Sequence, residues 1–148
     1  MGKVGTWMHD FPSPRPAIPQ FIRLVNTTTA SGSGPGTVGL RFYIRPDYAE
    51  RMNGKRFPVV VNFHGGGFTL GTATDDGCWV SALLQNVEAV FVSVEHRLAP
   101  KHRFPTAVED GLEALLYLAN NAEGFGINAS KLNLTGFSAG ATCYQRCR

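Results

Sequence analysis

Leu132-Asn133-Leu134-Thr135-Gly136-Phe137-Ser138-Ala139-Gly140 is the stretch that decides how this chain is read. Leu132 to Phe137 reads as a strand that feeds directly into a serine framed by two glycines. A serine on so sharp a strand-to-helix turn is pushed above the sheet edge. A side chain at Gly136 or Gly140 would then collide with the neighbouring strand and helix. The N–H of the next residue, Ala139, points to where an oxyanion forms. Such a serine needs a histidine and a carboxylate to activate it, yet only ten residues follow Ser138.

A second signal lies upstream. Phe57 to Phe63 (FPVVVNF) is a β-branched run with little alternation, as expected of a strand covered on both faces. It runs straight into His64-Gly65-Gly66-Gly67-Phe68. Three successive glycines cost conformational entropy that a purely structural turn rarely requires. They let the backbone aim its N–H groups at one point. With Ala139 they can form a hole for a tetrahedral anion, worth about 3–4 kcal/mol for one donor. A phosphate-cradling loop is the rival reading, but it carries a Lys followed by Ser or Thr, and Phe68-Thr69 stand here instead. His64 reads as an anchor for the glycine turn rather than as a base.

The rest of the chain supplies a frame for these two turns. Asp10 to Gln20 holds Pro12, Pro14, Pro16 and Pro19 and reads as an extended arm. Phe21 to Val25 and Val38 to Arg45 are strand-like and are separated by a long turn rich in Gly and Ser. Thr72 to Gln85 should contain a helix, capped by Thr74 or Asp75, with Trp79, Val80, Leu83 and Leu84 on one side. Ala89 to Glu95 is a further strand. From Pro105 the pattern turns helical, with Val108, Leu112, Leu115 and Leu116 at three- and four-residue spacing. The alternation predicts an α/β fold: a mostly parallel sheet with an initial antiparallel strand pair and helices on both faces.

Composition narrows the function classes. The chain has 148 residues, 43% hydrophobic and 17% charged, enough for one domain with a sizeable core. The net charge of +3 comes without a dense Lys/Arg stripe, which argues against a nucleic-acid partner. No apolar run approaches the roughly 18 residues of a membrane span. Met1 to Asp10 lacks the apolar core of a secretory leader, although Met1 to Thr6 fits the short, common frame for N-myristoylation. Three cysteines, Cys78, Cys143 and Cys147, make no disulfide framework, and their odd number points weakly to a reducing, cytoplasmic compartment. The His and Cys spacings match no zinc pattern, and no G-x-G-x-x-G follows the first strand, so neither a metal nor a dinucleotide cofactor is expected.

Three stretches in order, HGGGF (His64 to Phe68), SVEHRLAPKHRFPTAVEDG (Ser93 to Gly111) and GFSAG (Gly136 to Gly140), resemble the hormone-sensitive-lipase-like, fold-3 branch of the α/β-hydrolases. The resemblance covers most of Phe57 to Gly140, and its middle stretch is long and specific. It implies the N-terminal part of an α/β-hydrolase and a carboxylic-ester substrate of small acyl type, without a cofactor. Position by position it makes Ser138 the nucleophile and Gly66, Gly67 and Ala139 the oxyanion donors. It makes His64, Gly65, Gly136 and Gly140 structural supports, and gives Arg97, Pro100, Pro105, Glu109 and Asp110 the task of shaping the strand-to-helix crossover. The family usually has Asp where Phe137 stands and Gly where Ala141 stands.

In complete members an Asp and a His follow much later, and nothing after Ser138 matches them. His9, His64, His96 and His102 lie upstream, in the arm, the glycine turn and the crossover. The expected organisation is therefore a proline-rich arm or cap remnant at residues 1–20, a partial hydrolase domain at residues 21–140, and a tail at residues 141–148 that no longer resembles the family. Two functional readings stand side by side. One is a carboxylesterase by ancestry whose isolated chain has little turnover. The other is a non-catalytic binding fragment or a poorly folded product of a truncated gene, with Leu132 to Thr135 left as a sheet edge.

Overall fold

The computed structural model of the chain describes residues 20–27 and 34–147. The myristoylation frame, nearly all of the proline-rich arm and Arg148 lie outside the described residues. Five strands, β1 (Gln20–Thr27), β2 (Gly36–Tyr43), β3 (Phe57–Phe63), β4 (Val90–Glu95) and β5 (Ile127–Gly136), form one open sheet in the order β1-β2-β4-β3-β5. β1 pairs antiparallel with β2, and β2 antiparallel with β4, while β3 runs parallel to both β4 and β5. Only β2 is reversed, so the sheet is mostly parallel. Among the described residues four helices complete it: the single turn α1 (Tyr48–Arg51), α2 (Gly77–Asn86), α3 (Thr106–Asn120) and α4 (Ala139–Arg146).

Strand alternation explains the two layers. Val38, Leu40 and Phe42 of β2, Val59, Val61 and Phe63 of β3, and Val92 and Val94 of β4 belong to one buried cluster, which also takes Ala107, Ala114 and Leu118 of α3 and Cys143 of α4. The opposite face presents Tyr43 and Phe91, which join Val80 and Leu84 of α2. Helices thus cover both faces. Burial of each large apolar side chain contributes about 1.5–3 kcal/mol, so β3 and β4, covered twice, are the mechanical centre.

The α3 pattern differs from the leucine spacing in the sequence. Leu112 and Leu116 are 48% and 51% exposed, and the buried stripe is Thr106, Ala107, Asp110, Gly111, Ala114 and Leu118. Small residues win that face because the helix lies close to the sheet. A Cβ on Gly111 would stand 2.9 Å from the Phe63 ring and 3.2 Å from Cys147 Sγ. In α2 the helix starts at Gly77, with Asp76 in the N-cap position and no side-chain cap bond, rather than at a Thr74 or Asp75 cap. Asp75 instead accepts hydrogen bonds from the N–H and the hydroxyl of Thr72, and Asp76 accepts one from Asn62 at 2.8 Å. Trp79 is 45% exposed, edge-on to Phe91.

β5 sits at the edge of the sheet among the described residues, as the strand leading into the serine turn. It is longer than its apolar part, beginning at Ile127, with a register irregularity opposite Phe57 to Val59.

Candidate active site

Two turns at the carboxyl ends of β3 and β5 build the site. In the first, β5 ends at Gly136 and α4 starts at Ala139, so the chain reverses within two residues. Ser138 pays for the sharpness with φ 55 and ψ −117, a backbone region that non-glycine residues occupy only under strain. The turn is locked by Gly140 N–H to the Phe137 carbonyl at 2.9 Å and Ala141 N–H to the Ser138 carbonyl at 3.0 Å. Gly136 is obligatory because a Cβ there would meet the backbone of Gly140 and Ala141. The Ser138 side chain does not cap α4, and among the described residues no histidine or carboxylate is hydrogen-bonded to it.

The second turn, His64 to Gly71, folds over the first. A Cβ on Gly65 would lie 3.6 Å from Ser138 Cβ and 3.1 Å from the Phe137 carbonyl oxygen, so the glycine loop passes directly beside the serine. Gly66 (φ 111), Gly67 (φ 62) and Gly71 (φ 98) occupy left-handed backbone that a side chain disfavours, and Phe68 shares it at φ 61. The loop is closed by the N–H groups of Thr69 and Leu70, which both donate to the Gly66 carbonyl, at 3.1 and 3.0 Å. The N–H groups of Gly66, Gly67 and Ala139 make no such bond among the described residues. These three N–H groups of the two turns are thus unbonded among the described residues.

His64 is fully buried, with Nδ1 2.8 Å from the Gly65 carbonyl. Its ring sits inside the loop, against Gly65 and Gly71. A Cβ on Gly71 would lie 2.6 Å from that Nδ1, so Gly71 is required for the loop to close over the ring. Neither Gly71 nor the strained Phe68 stood out in the sequence. The signal for Gly71 was a lone glycine in a polar stretch, which many turns share.

The crossover after β4 is bonded to the glycine loop, the Ala99 N–H donating to the Phe68 carbonyl at 2.8 Å. The Arg97 guanidinium donates to Asp110, with Nη2 at 2.7 Å and Nε at 3.1 Å, and the Arg97 N–H donates to the same carboxylate at 2.8 Å. Asp110 is fully buried, and its hydrogen bonds raise the guanidinium's affinity for its proton further. Arg97 also reaches the Gly34 carbonyl and Thr27 Oγ1, tying the hairpin to the crossover. Pro100 and Pro105 both follow cis peptide bonds. Glu109 points a buried oxygen at no partner among the described residues.

Two cavities flank these loops. One of about 390 Å³ is lined by Asn62, Asp76, Trp79, Thr135, Gly136 and Phe137 and abuts the serine turn. The other, about 680 Å³, touches Arg41, Glu95, His96 and Arg97 beside the hairpin and does not include Ser138. Ser138 lines neither cavity; the smaller one takes in Gly136 and Phe137, the two residues before it. Phe137 is 74% exposed on its rim. Among the described residues no group of three His, Cys, Asp or Glu is placed to hold a metal ion, and no helix is long and apolar enough to cross a membrane.

The α/β-hydrolase fold family matches residues 60–145, which takes in the glycine loop, the crossover, the serine turn and most of α4. Esterase LipI of Mycobacterium tuberculosis is 35% identical over 131 residues, 87% of this chain and 39% of its own length. An ethyl acetate hydrolase of Pseudomonas putida is 34% identical over 126 residues, 84% of this chain and 37% of its own. Among solved structures, an esterase of Pyrobaculum calidifontis superposes with a TM-score of 0.68 at 33% identity, over 83% of this chain and 37% of that one. The chain spans well under half the length of these relatives. With the sheet order, the strained serine turn and the glycine loop in place, the chain belongs to the α/β-hydrolase fold family, in its fold-3, hormone-sensitive-lipase-like carboxylesterase branch.

Proposed function

We propose that the chain carries the acyl-accepting half of a carboxylic-ester hydrolase site, acting on a small acyl ester. Ser138 Oγ attacks the acyl carbon while its O–H proton passes by way of water to the leaving-group oxygen, the carbonyl π electrons move onto oxygen, and the N–H groups of Gly66, Gly67 and Ala139 receive that oxyanion. Collapse expels the alcohol and leaves an acyl-Ser138, which water cleaves to the free acid. The observation that carries this reading is the strained backbone of Ser138 beside a glycine loop whose N–H groups have no other partner among the described residues. Strain of this kind costs about 1–3 kcal/mol and persists where surrounding structure enforces it.

By itself the chain has little turnover, because no described histidine or carboxylate is hydrogen-bonded to Ser138 to take its proton. Preorganised donors alone still leave about 10³–10⁴-fold catalysis over water in hydrolases stripped of their triad. A p-nitrophenyl acetate assay and a fluorophosphonate label, each on the native chain and Ser138→Ala, test both halves of the proposal. Slow labelling confined to Ser138 is expected. Turnover near about 10 s⁻¹ that Ser138→Ala abolishes would overturn the claim of low activity, and labelling that survives Ser138→Ala would overturn the nucleophile.

A further inference from the structure

His96, at the end of β4, is 2% exposed, and its ring lies flat on that of His64, with centroids 4.1 Å apart and planes 10° from parallel. Among the described residues neither ring nitrogen of His96 has a hydrogen-bond partner, and His64 Nε2 has none either. Two imidazoles are therefore packed face to face with three polar nitrogens buried and unsatisfied. Such groups normally find partners or cost stability. Because His64 Nδ1 lies at hydrogen-bond distance from a carbonyl, it carries the proton, and Nε2 is the bare nitrogen.

The stack joins the two loops of the site. Phe68, in the glycine loop, places its ring 6.3 Å from His96. The Ala99 N–H, three residues beyond His96, donates to the Phe68 carbonyl at 2.8 Å. His64 in turn holds the Gly65 carbonyl. Displacing His96 thus removes the platform under His64 and disturbs the crossover bond to Phe68 together.

We propose that His96 is a positioning residue for the glycine loop: while its ring is neutral it clamps His64 and holds Gly65 to Gly67 beside Ser138, and proton uptake at His96 releases them. This rests on the reading of Gly66 and Gly67 as oxyanion donors. A proton on His96 would place a charge in a site only 2% exposed, flat against the His64 ring. Of the groups around the pair, Asp110 on α3 is engaged by Arg97. Asp75, near His64 across Gly71, is engaged by Thr72. Glu95 accepts the Ala73 N–H. Arg41 of β2 and Arg97 are cations on the same cavity as His96.

Burial first, and then the His64 ring, push the His96 imidazole down from 6.5 to about 4, against the weaker upward pull of the His64 and Arg97 backbone and of Asp110. An opened loop restores the ordinary value near 6.5. The open form therefore binds the extra proton between these values. Closure is fully favoured above about pH 6.5 and is lost progressively as pH falls toward about 4.

Imidazole-detected NMR and amide exchange on the full chain test this. The His96 ring should keep the nitrogen shifts of a neutral imidazole well below the ordinary histidine range near 6.5. Protection of the Leu70 and Ala99 amides should fall about tenfold per pH unit below about pH 6.5 in the native chain and stay flat in His96→Phe. Phenylalanine keeps a flat ring but has no nitrogen to protonate. His96→Ala should loosen these two amides at neutral pH while Val60 and Val61 of β3 stay protected. A His96 ring that titrates in the ordinary range, or a His96→Phe chain with the native slope, overturns the proposal. No readout uses ester turnover, so an inactive chain with the acid step counts against the hydrolase reading alone.

Discussion

Gly140, in the first turn of α4, lies so close to Phe63, the last residue of β3, that a Cβ on it would stand 2.7 Å from the Phe63 carbonyl carbon. The serine turn is therefore fixed by the neighbouring strand as well as by its own hydrogen bonds. The same β3 terminus begins the glycine loop at His64, so one point of contact sets both halves of the site.

Gly140→Ala should accordingly push α4 off β3 and destabilise the chain by about 1–3 kcal/mol, the usual cost of overpacking. Gly124→Ala is the control, since its Cβ would meet only the Asn121 carbonyl oxygen at an ordinary 3.7 Å. It should stay within about 0.5 kcal/mol of the native chain. Urea unfolding followed by circular dichroism compares the two. Equal midpoints would show that the close approach does not constrain the turn.

Ser138 holds φ 55 with a side chain, and glycine adopts that conformation freely. Ser138→Gly should raise stability by about 1–3 kcal/mol while removing phosphonate labelling, because the strain is relieved and the nucleophile is gone. Ser138→Ala keeps the strain and should unfold with the native midpoint. A Ser138→Gly chain no more stable than Ser138→Ala would mean that the turn stores no strain.

The Arg97–Asp110 pair has side chains 10% and 0% exposed, and each partner satisfies the other's charge. Asp110→Ala leaves a guanidinium buried without its anion and should cost about 3–5 kcal/mol. The double variant Arg97→Met with Asp110→Leu should lose clearly less, since neither charge is then stranded. Thermal unfolding of the three chains at neutral pH reads this. A double variant as unstable as Asp110→Ala would place the loss in packing rather than in the pair.

Cys143 is fully buried against the Ala107 carbonyl, and burial pushes its thiol up to about 12. Burial also raises the Cys147 thiol, beside the Val108 carbonyl, whereas Cys78 is exposed. A raised thiol holds less of the reactive thiolate at any pH below it. At pH 8, Ellman's reagent should titrate Cys78 first and reach Cys143 only on unfolding. Three thiols reacting at one fast rate in native buffer would show that α4 does not dock on α3.

Much of this was legible in the chain alone, because it depends on short-range chemistry. The β-branched run of β3 matched its strand residue for residue. The framed serine announced a sharp turn because only glycines tolerate the approach at Gly136 and Gly140. The triple glycine announced a tight loop for the same reason, and Gly66 and Gly67 do take left-handed backbone. Steric rules act between neighbours in sequence, so a one-dimensional reading can see them.

Tertiary structure decided the rest. Which stripe of α3 is buried depended on how closely the helix meets Phe63, and that distance favoured Gly111 and Ala114 over Leu112 and Leu116. Asp75 read as capping chemistry, yet Thr72 reached its carboxylate once the loop had folded. His64 and His96 stand far apart in the chain, each just past the end of a different strand, and nothing in either segment marks them as a pair. They stack because parallel pairing puts the ends of β3 and β4 side by side, with Phe63 opposite Val94. A local pattern can specify a turn, but contact between two rings at the ends of separate strands exists only once the sheet has assembled.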